Sequence, residues 1–147
     1  MVQFDYQQVE AWNTAVRLAA AVGRLKVASN LKASADAQAK AFETAGAACG
    51  LIAEGAGREG PPQAALYRDA RGALAQCSSW LHVLASVTSQ QPDVFHDELQ
   101  LADTASRQLG ALLRTLDRDR DRGPRPGGPR SAPAGGRPGG RGPGGPR

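Results

Sequence analysis

His82, His96, Cys49, Cys77 and Glu54 are the residues of this 147-residue chain whose types and neighbours could support chemistry. A di-metal site inside a helical bundle takes Glu-x-x-His pairs from two helices and a Glu from each of two more. Here the positions three before the histidines hold Ser79 and Asp93, so neither pair exists; a single Asp93-x-x-His96 stands alone. The histidines read as surface or interface residues, and no metal or other cofactor is expected. Cys49 and Cys77 fall on apolar stripes, where a thiol packs as a small hydrophobe. In a hairpin turning near Glu59 they are staggered by roughly 12 Å at about 1.5 Å per residue. That exceeds the roughly 4.4–6.8 Å between the Cα atoms of a disulfide.

The run Gly55-Ala-Gly57-Arg58-Glu-Gly60 is glycine-rich, but a phosphate-cradling loop needs a preceding strand and usually a Lys with Ser or Thr. Both are missing, so it reads as a tight helix–helix turn. Glu54, beside Ile52 and Ala53 near a helix end, is poorly placed for the helix dipole and calls for a cationic partner. Arg58 and Arg71 are the candidates, as a structural ion pair or as part of a recognition surface. No second acid, base or nucleophile converges on Glu54, so no enzyme is expected.

Four helices must position these residues. Breakers at Ser29-Asn30, Gly55–Pro62 and Gln90–Pro92 divide residues 1–122 into four segments. Within them apolar positions recur at alternating spacings of three and four, the mark of a core-facing helical stripe. The first carries Val9, Trp12, Val16, Ala19, Val22 and Leu25; the second Leu31, Ala35, Gln38, Phe42, Ala45, Cys49 and Ile52. The third carries Leu66, Ala70, Ala73, Cys77, Trp80, Leu84 and Val87; the fourth Phe95, Leu99, Ala102, Ser106, Leu109, Leu113 and Leu116. Gly55 is expected to close the second helix in a left-handed conformation. Pro61 is expected as the first residue of the third helix, with Gly60 as its cap and Gln63 three residues on. Pro92 opens the fourth, with Asp93 at its positive end. Short connections favour antiparallel neighbours, so the expected fold is all-α, an antiparallel up-down-up-down four-helix bundle over residues 1–122.

Charge divides the chain in two. The formal net charge is +4, from 18 Lys+Arg against 14 Asp+Glu. Residues 123–147 hold five of those arginines and no acid, so 13 basic residues face 14 acidic ones in residues 1–122, a net charge of −1. The basic character belongs to the tail, whose ten Gly and seven Pro forbid stable helix or sheet; disorder is expected there. The N-terminus shows no signal-peptide pattern, and the longest uncharged run, Gly72–Pro92, is too polar to span a membrane. Two cysteines make no disulfide framework, so a soluble protein of the cytoplasm is expected. Thr44–Ala53 and Gly72–Pro92 carry no charged side chain on any face, unlike the charged fourth helix. A second covered face, hence a homo-oligomer using the second and third helices, is one reading; a bland Ala- and Ser-rich surface is the other.

Ile52-Ala-Glu54-Gly55-Ala-Gly57-Arg58 followed by Tyr67-Arg-Asp-Ala-Arg71-Gly72-Ala-Leu74 resembles the bacterial four-helix-bundle proteins related to the 23S rRNA intervening-sequence protein. Phe4, Val9 and Trp12 echo that family's N-terminal pattern with altered spacing, and the resemblance spans about Phe4 to Asp117. It implies an antiparallel bundle assembling into a ring, typically a pentamer, with Glu54, Gly55, Gly57, Arg58, Tyr67 and Gly72 as signature positions. More distantly the chain resembles the accessory variability proteins of diversity-generating retroelements, which bind nucleic acid and a reverse transcriptase. The middle of the second segment carries Phe42 and Glu43 where that family commonly has basic residues, and Gln76 stands where it has Glu.

Arg125, Arg130, Arg137, Arg141 and Arg147, spaced by Gly and Pro, resemble segments that contact phosphates and stack on bases without sequence preference. One tail binds weakly at physiological salt, whereas a ring displaying several would gain avidity. The competing reading is a low-complexity extension that aids solubility. Two functions follow: a non-enzymatic oligomer holding RNA or DNA through arginine tails, or a structural adaptor docking a protein such as a reverse transcriptase on the bundle surface.

Overall fold

The computed structural model describes residues 2–122. The tail expected to be disordered, with Arg125, Arg130, Arg137, Arg141 and Arg147, lies outside the described residues. Four α-helices account for most of the rest: α1 (Glu10–Gly23), α2 (Lys32–Ala56), α3 (Gly60–Val87) and α4 (His96–Asp121). Short 3-10 turns, Asp5–Gln8 and Pro92–Phe95, precede α1 and α4, and no strand occurs among the described residues. Helix α1 touches α2 and α4, and α3 touches the same two, so the four close into a bundle. Where α3 meets its neighbours the paired positions run in opposite senses, Thr44 with Cys77 and Gly55 against Tyr67 on the α2 side, and Arg68 with Asp117 and Arg71 with Ser106 on the α4 side.

Large residues on three helices fill the core against small ones on α2. Leu18 and Val22 of α1, Leu74, Leu81 and Leu84 of α3 and Leu109 of α4 are fully buried. Each such side chain removed from water contributes about 1.5–3 kcal/mol. Helix α2 meets them with Ala37, Ala41, Ala45 and Ala48 and only Ile52 as a large residue, an alternation of sizes that lets α2 and α3 pack closely along their lengths. Buried hydroxyls stay satisfied locally: Thr14 donates to the Glu10 carbonyl at 3.1 Å and Thr44 to the Lys40 carbonyl at 2.8 Å.

Two expected stripes are rotated. On α2 the buried face runs through Ser34, Ala37, Ala41, Thr44, Ala45, Ala48, Ile52 and Gly55, so the expected Ala45 and Ile52 are buried while Leu31, Ala35 and Phe42 are exposed. Phe42 lies over Gly23 of α1 at the edge of the interface, and Gln38 uses its amide to donate to the Val22 and Leu25 carbonyls, 3.1 and 2.8 Å away. The Val22 carbonyl lies in the last turn of α1 and the Leu25 carbonyl just beyond it, where backbone donors run short, and the Gln amide supplies two more. On α1 the buried face is Ala11, Ala15, Leu18 and Val22, with Val9, Trp12 and Ala19 half-buried beside it and Val16 exposed. The stripes of α3 and α4 fall where the sequence places them, with Ala70, Cys77, Leu84, Phe95, Ala102, Leu109 and Leu113 buried.

Three helix ends differ from expectation. Gly55 is helical rather than left-handed; α2 runs on to Ala56, and Gly57 caps it at φ −90°. Gly60, at φ +66°, is itself the first residue of α3 with Glu59 as the cap, one residue earlier than expected. Gln63 does not complete a capping box; its amide reaches back across the turn to the Gly55 carbonyl at 3.0 Å. Pro92 opens a 3-10 turn, and α4 proper begins at His96.

Candidate functional site

The signature residues of the α2–α3 turn separate into three places. Glu54 pairs with Arg58, not with Arg71: the two side chains, one helical turn apart, meet at 3.4 Å with more than half of each exposed. A pair so open to water contributes about 0–1 kcal/mol, which makes it a surface feature rather than a strut. Gly55 and Tyr67 form the second place, inside the hairpin. The Tyr67 ring is buried against the Gly55 backbone, and burial pushes its phenol above the ordinary value while Gln63 pulls it down. Gly57 is the helix cap just outside, and Gly72 is exposed on α3 with open space around it.

Arg71 marks the third place, the groove between α3 and α4. Its Nε donates to the Ser106 hydroxyl at 3.4 Å. Its guanidinium lies over Gly110, a buried glycine of α4, and the Arg114 guanidinium reaches the same point from the next turn of α4. Ion pairs bracket this spot: Arg68 with Asp117 at 3.7 Å and Arg107 with Asp103 at 3.0 Å. Arg71 and Arg114 make no ion pair among the described residues. The sequence pointed to Arg71 only as a partner for Glu54; its meeting with Arg114 depends on the register of α3 against α4, which no local pattern encodes.

A second cluster also escaped the sequence reading. The 3-10 turn at Asp5–Gln8 brings three aromatics together. Phe4 stacks on Tyr6 with centroids 5.4 Å apart and planes 8° from parallel, and Tyr6 tilts onto Trp12 at 4.8 Å. Phe4 is half exposed, and its N–H donates to Gln7 Oε1 at 2.7 Å, which holds the turn. The clue was the crowding of three aromatic residues into positions 4–12 of a chain with few of them.

The remaining chemistry-bearing residues are spread apart. His82 is exposed, with Nδ1 2.8 Å from the Ser78 carbonyl, and His96 is exposed at the start of α4. Among the described residues no three His, Cys, Asp or Glu side chains are placed to hold a metal ion. Both cysteines are free. Cys77 is buried beside Thr44, and burial pushes its thiol up to about 11; Cys49, half-buried, is also raised by burial. Such thiols stay protonated and unreactive near neutral pH. A groove of about 470 Å³ between the start of α3 and the end of α4 is lined by Pro61, Ala64, Arg68, Leu116, Asp117 and Arg120, and holds no nucleophile–base pair. Among the described residues no helix is long and apolar enough to cross a membrane.

The fold and these surfaces define a four-helix bundle whose features are a helix-hairpin clamp, a basic groove and an exposed aromatic stack. No family model, curated protein or solved structure matches the chain.

Proposed function

We propose that the protein is a non-enzymatic, self-associating helical scaffold that holds nucleic acid, RNA foremost, through the arginines of residues 123–147. The observation that carries this reading is the partition of charge: five arginines and no acid in the last 25 residues, against a bundle of net charge −1. A bundle that is close to neutral does not attract a polyanion as a whole, so the attraction resides in the tail. Self-association is supported by the outward faces of α2 and α3. Phe42, Gly46, Ala47 and Gly50 on one, and Gly72, Ala75, Gln76, Ser79 and Val83 on the other, are exposed and uncharged. The resemblance to the intervening-sequence family supports a ring of five, and two free thiols suit a reducing cytoplasm.

A second reading has a specific support of its own. Phe42 is 51% exposed and Val83 39%, large apolar groups of the kind that dock a protein partner such as a reverse transcriptase. Light scattering of the full chain, with and without nuclease, separates the two. A ring-sized mass that carries nuclease-sensitive material supports the scaffold, whereas a nucleic-acid-free particle that captures a protein favours the adaptor. A clean monomer free of nucleic acid refutes the scaffold.

A further inference from the structure

We propose that the groove between α3 and α4 over Gly110 is a binding site for a phosphate group, held by Arg71, Arg114 and Ser106. A Cβ built on Gly110 would stand 3.5 Å from Arg114 Nη1 and 3.7 Å from Arg71 Nη1, so both guanidinium groups rest against one point of the α4 backbone. A side-chain carbon at this position would be in ordinary contact with both guanidinium groups, which flank the buried Gly110 from the two helices. Two cations converging on one point repel each other, and an anion bound between them turns that repulsion into attraction. Among the described residues no carboxylate pairs with either arginine; Asp103 and Asp117, also on α4, are engaged by Arg107 and Arg68.

The geometry suits an oxyanion. A guanidinium is a planar fork of donors that matches phosphate bidentately and stays charged at every physiological pH. Arg71 is oriented by its bond to Ser106, whose oxygen accepts from Nε and leaves its own O–H free to donate into the groove. Arg114 lies on α4 two turns before its end at Asp121, beyond which the arginine-bearing segment begins. On the nucleic-acid reading above, on which this part of the inference rests, the bound group is a backbone phosphate and the groove extends the track of the tail onto the bundle. A free phosphate monoanion or dianion has the same chemistry.

The test uses the full chain with four probes: a fluorescein-labelled single-stranded oligouridylate, a single-stranded oligothymidylate, an RNA duplex and inorganic phosphate. Arg71→Gln and Arg114→Gln are compared with a variant whose tail arginines 125, 130, 137, 141 and 147 are all Gln. Each groove substitution is expected to weaken oligonucleotide binding about ten-fold. It should also lower the slope of log affinity against log salt by about 0.7, the value of one single-strand phosphate contact. Arg71→Lys, which keeps the charge and loses the fork, should restore the slope but not the affinity. Circular dichroism checks that each variant keeps its helices. Wild-type affinity and slope in Arg71→Gln and Arg114→Gln, with binding lost in the tail variant, would overturn the groove site and leave the tail reading standing. Binding of inorganic phosphate that the groove variants lose, with no oligonucleotide bound by any form, would keep the site and overturn the nucleic-acid reading. No binding of any probe by the wild type overturns both.

Discussion

Gly55 and Tyr67 meet so closely across the α2–α3 hairpin that a Cβ on the glycine would stand 2.7 Å from the tyrosine Cε1 and 2.9 Å from Cδ1. The tyrosine is 4% exposed, and both residues sit inside helices, so neither can swing aside without opening the turn. In an unobstructed helix, Gly→Ala stabilises by roughly 0.5–1 kcal/mol. Here the overlap dominates, since forcing one methyl into a filled site costs about 1–3 kcal/mol. Gly55→Ala is therefore expected to lower stability by about 1–2 kcal/mol in chemical denaturation. Pairing it with Tyr67→Leu should return part of the loss. A stabilised Gly55→Ala protein would show that the ring does not lie where the structure puts it.

Gly50 provides the opposite case on the same helix. It is exposed in the interior of α2, and a Cβ there meets nothing within 4 Å. Only the backbone entropy of glycine remains, so Gly50→Ala should raise stability by about 0.5–1 kcal/mol in the same denaturation assay. Loss of stability would mean that another subunit approaches the α2 backbone at this point.

How far the chain was legible depended on residue size. Trp80, Leu84, Phe95, Leu99, Leu109 and Leu113 mark α3 and α4 because large side chains at helical spacing lie on or beside the buried face. Helix α2 hid its core, since its buried positions are mostly small residues with Ile52 the one large exception, while Phe42 and the preceding Leu31 lie exposed. Hydropathy therefore points about one residue around the helix from the true face. The Glu54–Arg58 pair could be read locally, four residues apart on one helix and its turn. The Arg71–Arg114 convergence and the Phe4–Tyr6–Trp12 stack could not, because one needs the α3–α4 register and the other a 3-10 turn.

The Cys77 thiol makes stability depend on pH in the alkaline range. Its value is pushed up to about 11 in the folded protein, by burial. The unfolded chain loses the same proton near pH 8.5. Folding thus favours the protonated thiol, and its contribution is fully present below about pH 8.5 and lost as pH rises toward 11. The difference between about 8.5 and about 11 corresponds to about 3 kcal/mol. Denaturation at pH 7 and pH 10 should show the decline, and Cys77→Ala should flatten it while lowering stability overall.

Phe42 tests the assembly. Its ring is 51% exposed, leans on Gly23 at one edge and otherwise faces outward among Gly46, Ala39 and other uncharged positions. If a second subunit covers that face, a buried charge there would be left unpaired, which costs several kcal/mol. Phe42→Glu is expected to reduce the light-scattering mass to that of one chain while circular dichroism is unchanged. An undiminished oligomer would move the interface to α3, around Gln76 and Val83.

The tail has a signature that separates function from composition. Each phosphate neutralised on a single strand contributes about 0.7 to the slope of log affinity against log salt, so five arginines on one chain can supply roughly 3.5. Replacing Arg125, Arg130, Arg137, Arg141 and Arg147 with Gln leaves the Gly and Pro framework in place and removes only the charges and guanidinium groups. If the arginines hold nucleic acid, that variant should lose most of its affinity and nearly all of its salt dependence, and the loss should be larger in an assembled ring than in a Phe42→Glu monomer. The monomer retains each contact but forfeits the avidity of several tails, a difference of order 10²–10⁴ for well-matched spans. Equal affinities in the two assembly states would show that the tails act singly, and an unchanged slope in the Gln variant would return the tail to a compositional feature of the chain.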